Sequence, residues 1–292
     1  MTPTSISLFC CKIFIEGEKM ALNLFYITNN LEVALIAEKN GVDRIWIDLE
    51  TLGKEERQKG INSVKSHHTI EDIRTIKPFL SKSEMLVRVN PWNKNSPQEI
   101  DAVIGAGADI VMLPYWKTVE EVQNFLSTVN KRKKTTLLLE TKEAVECIDE
   151  VLKLDFDEIH IGLNDLHLSY GMAFMFELLS NGMVETLCGK FRKKGFPYGF
   201  GGIARLGEGL LSADRIIMEH YRLGSTRAIL SRSFCDYRSI ESVEEIDRVF
   251  SKNMKLLRGF ESTLDTTPQE VFLENQLIVK QRIHEIVEKA KG

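Results

Sequence analysis

From Met20 onward the chain repeats one rhythm: a short apolar, β-branched run, a turn, then a helical pattern. Eight apolar runs carry it: Leu24–Thr28, Arg44–Leu49, Met85–Asn90, Asp109–Pro114, Thr136–Glu140, Glu158–Leu163, Pro197–Ile203 and Arg227–Ser231. They are nearly continuous in hydrophobicity rather than alternating, as parallel strands buried on both faces are. Helical stripes lie between them. Ala144, Val145, Ile148, Val151 and Leu152 form one, and Val119, Val122, Phe125, Leu126 and Val129 another. Thr118 followed by Glu121 reads as a capping box opening the second stripe. Gly41, Gly107, Gly195 and Gly224 each follow a helical run, where helix C-termini prefer glycine. Eight strands alternating with helices is the count of a closed (β/α)8 TIM barrel of the α/β class. Periodicity does not reveal closure, so an open doubly wound sheet is the competing topology. Two amphipathic stretches, Val243–Leu257 and Gln269–Lys289, follow as extra C-terminal helices for the barrel exterior or for subunit contact.

Composition narrows the function classes. A net charge of −4 leaves no basic footprint for nucleic acid or an anionic membrane. No apolar run reaches the roughly 18–20 residues of a membrane span. Five cysteines, odd in number and without a CxxC pair, point to free thiols in a reducing, cytoplasmic setting. The segment "MTPTSISLFCCKIFIEGEK" lacks a basic leader and a small-residue cleavage site, unlike a secretory signal. Residues 1–19 are therefore read as a poorly structured N-terminal extension, and residues 20–292 as one barrel domain including the C-terminal helices.

In such a barrel the chemistry gathers where strands end. The second strand ends in Asp48-Leu49-Glu50, and the third carries Arg88 and Asn90. The fifth ends in Glu140, and the sixth runs into "GLNDLH", with Gly162, Asn164, Asp165 and His167. The seventh enters "GFGGIARLGEG", which contains Gly201 and Gly202, and the eighth ends in Ser231-Arg232-Ser233. Glu140 and Asp165 fall on adjacent strands at one level, and two acidic side chains are a normal protein contribution to Mg²⁺ or Mn²⁺. The structural alternatives are a helix N-cap for Glu140 and a turn for Asn164-Asp165. Arg88 lies in an apolar run where an unpaired guanidinium is costly. It is expected either to pair with Asp48 or Glu50, or to clamp an anion or enolate, and these roles are compatible. The glycine-rich stretch after the seventh strand, with Arg205 and Arg232, is a tight turn or an anion site built from backbone N–H groups. His160 is expected to be a satisfied core histidine.

The segments "VDRIWIDLE", "LVRVNP", "GADIVMLP", "LLLETKEAVE" and "IHIGLNDL", in that order, resemble the strand motifs of the HpcH/HpaI aldolase/citrate lyase family over roughly residues 22–235. The resemblance implies a pyruvate-type barrel in an oligomer, often with its last helices exchanged between subunits. It also implies divalent-metal-dependent (class II) carbon–carbon cleavage of a 2-oxo acid through a pyruvate-type enolate, with Mg, Mn or Co. By motif, Glu140 and Asp165 take the metal-ligand positions, Arg88 the enolate-stabilising position, and Glu50 the acidic position after the second strand. Asp48, Gly162, Asn164, His167, Gly201 and Gly202 are the expected substrate-binding residues. The chain departs from the family at three places. Thr51 follows Glu50 where aldolases place a histidine, Leu138 replaces a glutamine, and Tyr115 replaces a lysine. His67 and His68, just before a second capping-box pattern at Thr69 and Asp72, are candidates for the missing base, alongside Glu50 or a water. Two other functions compete: citrate lyase β-like chemistry on acyl-CoA, and a catalytically silent barrel that keeps the metal site. The expected partners are a small 2-oxo acid and further copies of the chain.

Overall fold

The structure is a computed structural model that describes residues 21–53 and 67–291; the N-terminal extension at 1–19 lies outside the described residues. Eight parallel strands close in sequence order, and the last pairs back onto the first. They are β1 (Asn23–Ile27), β2 (Arg44–Asp48), β3 (Glu84–Arg88), β4 (Ile110–Leu113), β5 (Lys134–Leu139), β6 (Glu158–Ile161), β7 (Tyr198–Ile203) and β8 (Arg227–Leu230). Closure decides against the open sheet. Every strand segment expected from the sequence is present; all but the seventh end short of the expected run, where the last residues turn to the following loop, and the seventh keeps its end at Ile203.

Because side chains alternate along a strand, each strand sends every second residue into the barrel. Those residues stack in layers. The register sets Arg44 of β2 beside Glu84 of β3, Asp48 beside Arg88, and Leu138 of β5 beside His160 of β6. The lowest layer is ionic, built on Arg44, Glu84, Glu158 and Arg227. The middle layer is an apolar plug of Phe25, Trp46, Leu86, Ile110, Met112 and Leu138. The upper layer, at the strand C-termini, is polar again. Outward-facing residues join the helices in a second, much larger apolar cluster.

The local signals act as the residue chemistry dictates. Thr118 and Glu121 close a capping box on helix Val119–Val129, and Thr69 and Asp72 do so on Ile70–Ile76. Gly107, Gly195 and Gly224 end their helices in the left-handed conformation. The stripe from Ala144 to Leu152 is two short helices, Lys142–Glu146 and Ile148–Val151, joined at Cys147. The C-terminal helices run longer than their apolar stripes suggest, Val243–Leu264 and Gln269–Lys291. The first packs on Leu31–Lys39, the second on Ala213–Leu223 and Glu177–Ser180. Asn275 ties the last helix down, donating to the Arg215 carbonyl at 3.1 Å and to Glu219 at 3.0 Å. Cys147, Cys188 and Cys235 are free thiols. Among the described residues no helix is long and apolar enough to cross a membrane.

Candidate active site at the barrel mouth

Parallel register puts Asp48 directly beside Arg88, and a guanidinium that enters a barrel must find acceptors there. Arg88 forms a fork on Asp48, Nε to Oδ1 at 2.9 Å and a terminal nitrogen to Oδ2 at 2.8 Å. Its other terminal nitrogen reaches Glu50 at 3.2 Å. Asp48 Oδ1 also accepts from the Glu50 N–H at 3.2 Å, so the strand end is tied to the same carboxylate. Below, the guanidinium lies 5.2 Å from the centre of a Trp46 ring, a cation–π contact. Burial works against the charge on Arg88, but Asp48 and then Glu50 outweigh it and hold the group well above the usual guanidinium range. The ion pair expected for Arg88 is thus formed at the mouth, with Asp48 and Glu50 both taking part.

Glu140 follows β5. The N-cap of the next helix is Thr141, whose hydroxyl accepts from the Ala144 N–H, so the capping role considered for Glu140 belongs to its neighbour. Glu140 is instead buried, with Oε1 accepting from the Tyr115 N–H at 3.0 Å. Tyr115 points that N–H from a backbone with φ of 49°, a conformation side chains seldom adopt. Across the carboxylate stands Gly162. A Cβ there would come within 2.8 Å of Glu140 Oε2, so only glycine lets the end of β6 approach this closely.

Gly162 is also the N-cap of helix Leu163–Ser169, and Asn164-Asp165 is its first turn. The turn reading of these two residues is thereby corrected. Asn-Asp here opens a helix, which needs no side-chain turn. One step of 100° around that helix separates the exposed Asn164 from the buried Asp165. Two more steps carry His167 to the far flank, where its Nδ1 meets the Leu163 carbonyl at 3.1 Å. The structure therefore sets Glu140 against Gly162, the residue that opens the helix carrying Asp165, with Asp165 buried, Asn164 exposed and His167 on another flank of the helix.

The two candidate histidines part company. His67 is exposed, whereas His68 is buried and its Nδ1 accepts from the Asp48 N–H at 3.0 Å. An acceptor Nδ1 in a neutral imidazole leaves the proton on Nε2. Thr51, standing where a family histidine would be, is held by Asn90: its N–H and that of Leu52 donate to Asn90 Oδ1 at 2.9 and 3.0 Å. Glu99 in turn accepts from the Asn90 side chain at 2.8 Å. Asn90 thus sets the loop that leaves β2.

Gly201 and Gly202 lie within β7, at a register irregularity against β8. The loop beyond them is less suited to anions than its glycines suggest. Arg205 pairs with Glu208 at 2.9 Å, and the Gly207 N–H donates to Asp214 at 3.0 Å. Arg232 is exposed beyond β8. His160 is fully buried, with Nε2 on the Gly201 carbonyl at 3.1 Å. Its Nδ1 has no partner among the described residues, so the core histidine is only half satisfied.

Sequence reasoning missed two contributors. The Tyr115 backbone N–H leaves no signature in residue type, and Trp46 reads as an ordinary strand apolar residue. Among the described residues no three His, Cys, Asp or Glu side chains converge as a metal cage. The mouth offers two buried carboxylates, Glu140 packed against Gly162 and Asp165 on the helix that Gly162 opens. That hard-oxygen donor set fits Mg²⁺ or Mn²⁺, which one or two carboxylates ordinarily hold with water and substrate completing the shell.

Comparison with known structures places the same fold in an HpcH/HpaI aldolase/citrate lyase family protein from Burkholderia cenocepacia J2315 (14% identity, TM-score 0.56, covering 79% of this chain and 96% of that one). It is similar too to citrate synthase SbnG (16%, TM-score 0.54, 82% and 94%) and to RipC from Yersinia pestis (13%, TM-score 0.52, 80% and 96%). No curated protein matches in sequence. The HpcH/HpaI aldolase/citrate lyase family model matches residues 22–175, over half the chain; the protein belongs to that family, and with it to aldolase- or lyase-type chemistry.

Proposed function

We propose that the protein is a divalent-metal-dependent carbon–carbon lyase of the class II aldolase type, acting on a small 2-oxo acid through a pyruvate-type enolate. The observation that carries this reading is the meeting of Glu140 and the Asp165 helix at Gly162, on the same barrel rim as the Arg88–Asp48–Glu50 cluster. Glu140 and Asp165 would hold Mg²⁺, Mn²⁺ or Co²⁺, which when bound supplies a Lewis acid for the keto and carboxylate oxygens of the substrate.

The protein's own groups supply the rest. Asp48 and Glu50 fix the Arg88 guanidinium before substrate arrives, so its N–H groups need no reorganisation to stabilise an enolate oxygen. Such pre-set donors are usually the largest catalytic contribution. His68, held with its proton on Nε2 by the Asp48 N–H, is a proton donor in its neutral form rather than the base that its sequence position suggests. Glu50, paired with Arg88 at 3.2 Å, would take the substrate hydroxyl proton. The apolar plug of Trp46, Met112 and Leu138 beneath them closes the barrel to water from below.

The test is exchange of pyruvate methyl protons in D₂O with Mg²⁺ or Mn²⁺ present. Exchange that stops on chelation is expected. Its absence while Mn²⁺ is demonstrably bound would leave a silent metal-binding barrel. His68→Gln is expected to slow exchange by roughly 10²-fold, the lower end of what a general acid contributes.

A further inference from the structure

His160 is a poor choice for packing alone. Its Nδ1 is buried without a partner among the described residues, and such a nitrogen is costly. That nitrogen faces the β7 backbone at Gly199, where a Cβ would meet the Arg227 carbonyl oxygen at 2.3 Å and the ring nitrogen at 2.7 Å. What the ring supplies that an apolar side chain does not is one N–H. The Gly201 carbonyl can only accept, so the 3.1 Å contact requires the proton on Nε2. Burial holds the ring neutral, depressing its pKa to about 4.

Gly201 is where β7 leaves regular geometry. The β7–β8 register shifts between Gly199 and Gly202, and Gly201 itself has φ of +53°. A Cβ on Gly201 would fall 2.7 Å from Leu163 Cδ1, so the Leu163 side chain packs directly on the Gly201 backbone. Leu163 is the first residue of the helix that carries Asp165. A continuous set of contacts therefore runs from the His160 N–H, through the Gly201 carbonyl and the β7 irregularity, to the base of the Asp165 helix.

We infer that His160 is a positioning residue: its Nε2–H locks β7 at Gly201, and the locked strand seats the helix that presents Asp165 to the cation. This rests on the reading of Asp165 as a metal ligand. It assigns His160 no contact with substrate or metal. Outer groups that orient a metal ligand typically contribute 10–100-fold to affinity.

The experiment is an Mn²⁺ titration followed by electron paramagnetic resonance, on protein whose fold is checked by near-UV circular dichroism. His160→Met removes the donor while keeping bulk, and His160→Gln restores an N–H at similar reach. The expected result is Mn²⁺ affinity weakened about tenfold or more in the Met variant and recovered in the Gln variant. Equal affinity in the Met variant and the parent overturns the inference, as does equal weakening in both variants. If the Met variant does not fold, ¹⁵N spectra of the parent decide. Nε2–H with resonances that shift on Mg²⁺ addition supports the inference, and Nδ1–H, or no shift, overturns it. Asp165→Asn separates the two layers. Should it bind Mn²⁺ like the parent, the metal reading fails and not the role of His160 in β7.

Discussion

The barrel holds two arginine–carboxylate clusters, one at each end of the apolar plug, and they are built on opposite terms. At the bottom, Glu158 is saturated. It takes both terminal nitrogens of Arg44, Nε of Arg227 at 2.9 Å and the Thr136 hydroxyl at 2.6 Å. Arg44 spends its remaining nitrogen on Glu84 at 3.2 Å, which also takes Lys134 at 2.6 Å. At the top the ratio reverses: one guanidinium, Arg88, is shared by Asp48 and Glu50, with Glu140 adding to its field. Burial pushes the Glu158 carboxyl up, but Arg44 and Arg227 carry it below the usual range, as expected of a carboxylate serving only to bind protein. The bottom cluster closes on itself; the top one is a set of acceptors around a single pre-set donor. On the proposed function, a charge held for stability and one presented for chemistry are separated by one layer of side chains.

The sharpest way to break this comparison is at Glu158. Glu158→Leu leaves Arg44 and Arg227 buried without their carboxylate, and the unfolding free energy is expected to fall by about 3–5 kcal/mol, the range for a broken buried pair. Turnover per folded molecule should hold. A urea melt alongside active-site titration checks both, and a variant that melts like the parent would make the bottom cluster ornamental. The mirror experiment is Glu140→Gln or Asp165→Asn. Turnover is expected to fall by roughly 10²–10³-fold, the scale of losing one electrostatic contact to the transition state, with far less change in the melt than at Glu158. A large stability loss with turnover kept would place these carboxylates with the bottom cluster.

These two clusters were not equally legible in the sequence. Arg88, Glu50, Glu140 and Asp165 stand out because strand ends are where polar residues interrupt apolar runs. The bottom cluster was invisible, since Arg44 and Glu158 look like ordinary strand-opening charges and their partnership spans 114 positions. Closure was equally hidden, being a property of the β1–β8 pairing and not of any one segment. Tautomers are a further layer. That His68 presents Nε2–H depends on one backbone N–H of Asp48, which no spacing rule encodes.

Two buried histidines, His160 inside the barrel and His220 on the helix Ala213–Leu223 outside it, respond to pH. Burial depresses His160 to about 4 and His220, stacked on Phe200 at 3.8 Å, to about 3, each from an ordinary 6.5. The unfolded chain therefore binds more protons than the folded one below pH 6.5. Stability is full above that value, falls as pH drops through the window, and levels only below the folded pKa of each ring. By pH 5 each ring should have cost about 2 kcal/mol. Urea midpoints at pH 7 and pH 5 measure the sum, and His220→Gln should remove about half of the slope. A flat profile would mean that the rings are hydrated or partnered in solution.

The smallest expected effect is at Thr51, and it tests which residue has taken over the proton chemistry. Its backbone N–H is anchored on Asn90 at 2.9 Å, while its hydroxyl meets the same oxygen only at 3.3 Å. Thr51→Val keeps the anchor and removes the hydroxyl from an exposed position, so stability should move by less than about 0.5 kcal/mol. Methyl-proton exchange should stay within about twofold of the parent, a barrier change below 0.5 kcal/mol. Loss of exchange on the scale of His68→Gln would return the proton-transfer role to the position after Glu50 and strip His68 of it. Retention in Thr51→Val together with loss in His68→Gln would fix the site as one in which the histidine arrives from the far end of the β2 loop, seated on the strand by the N–H of Asp48.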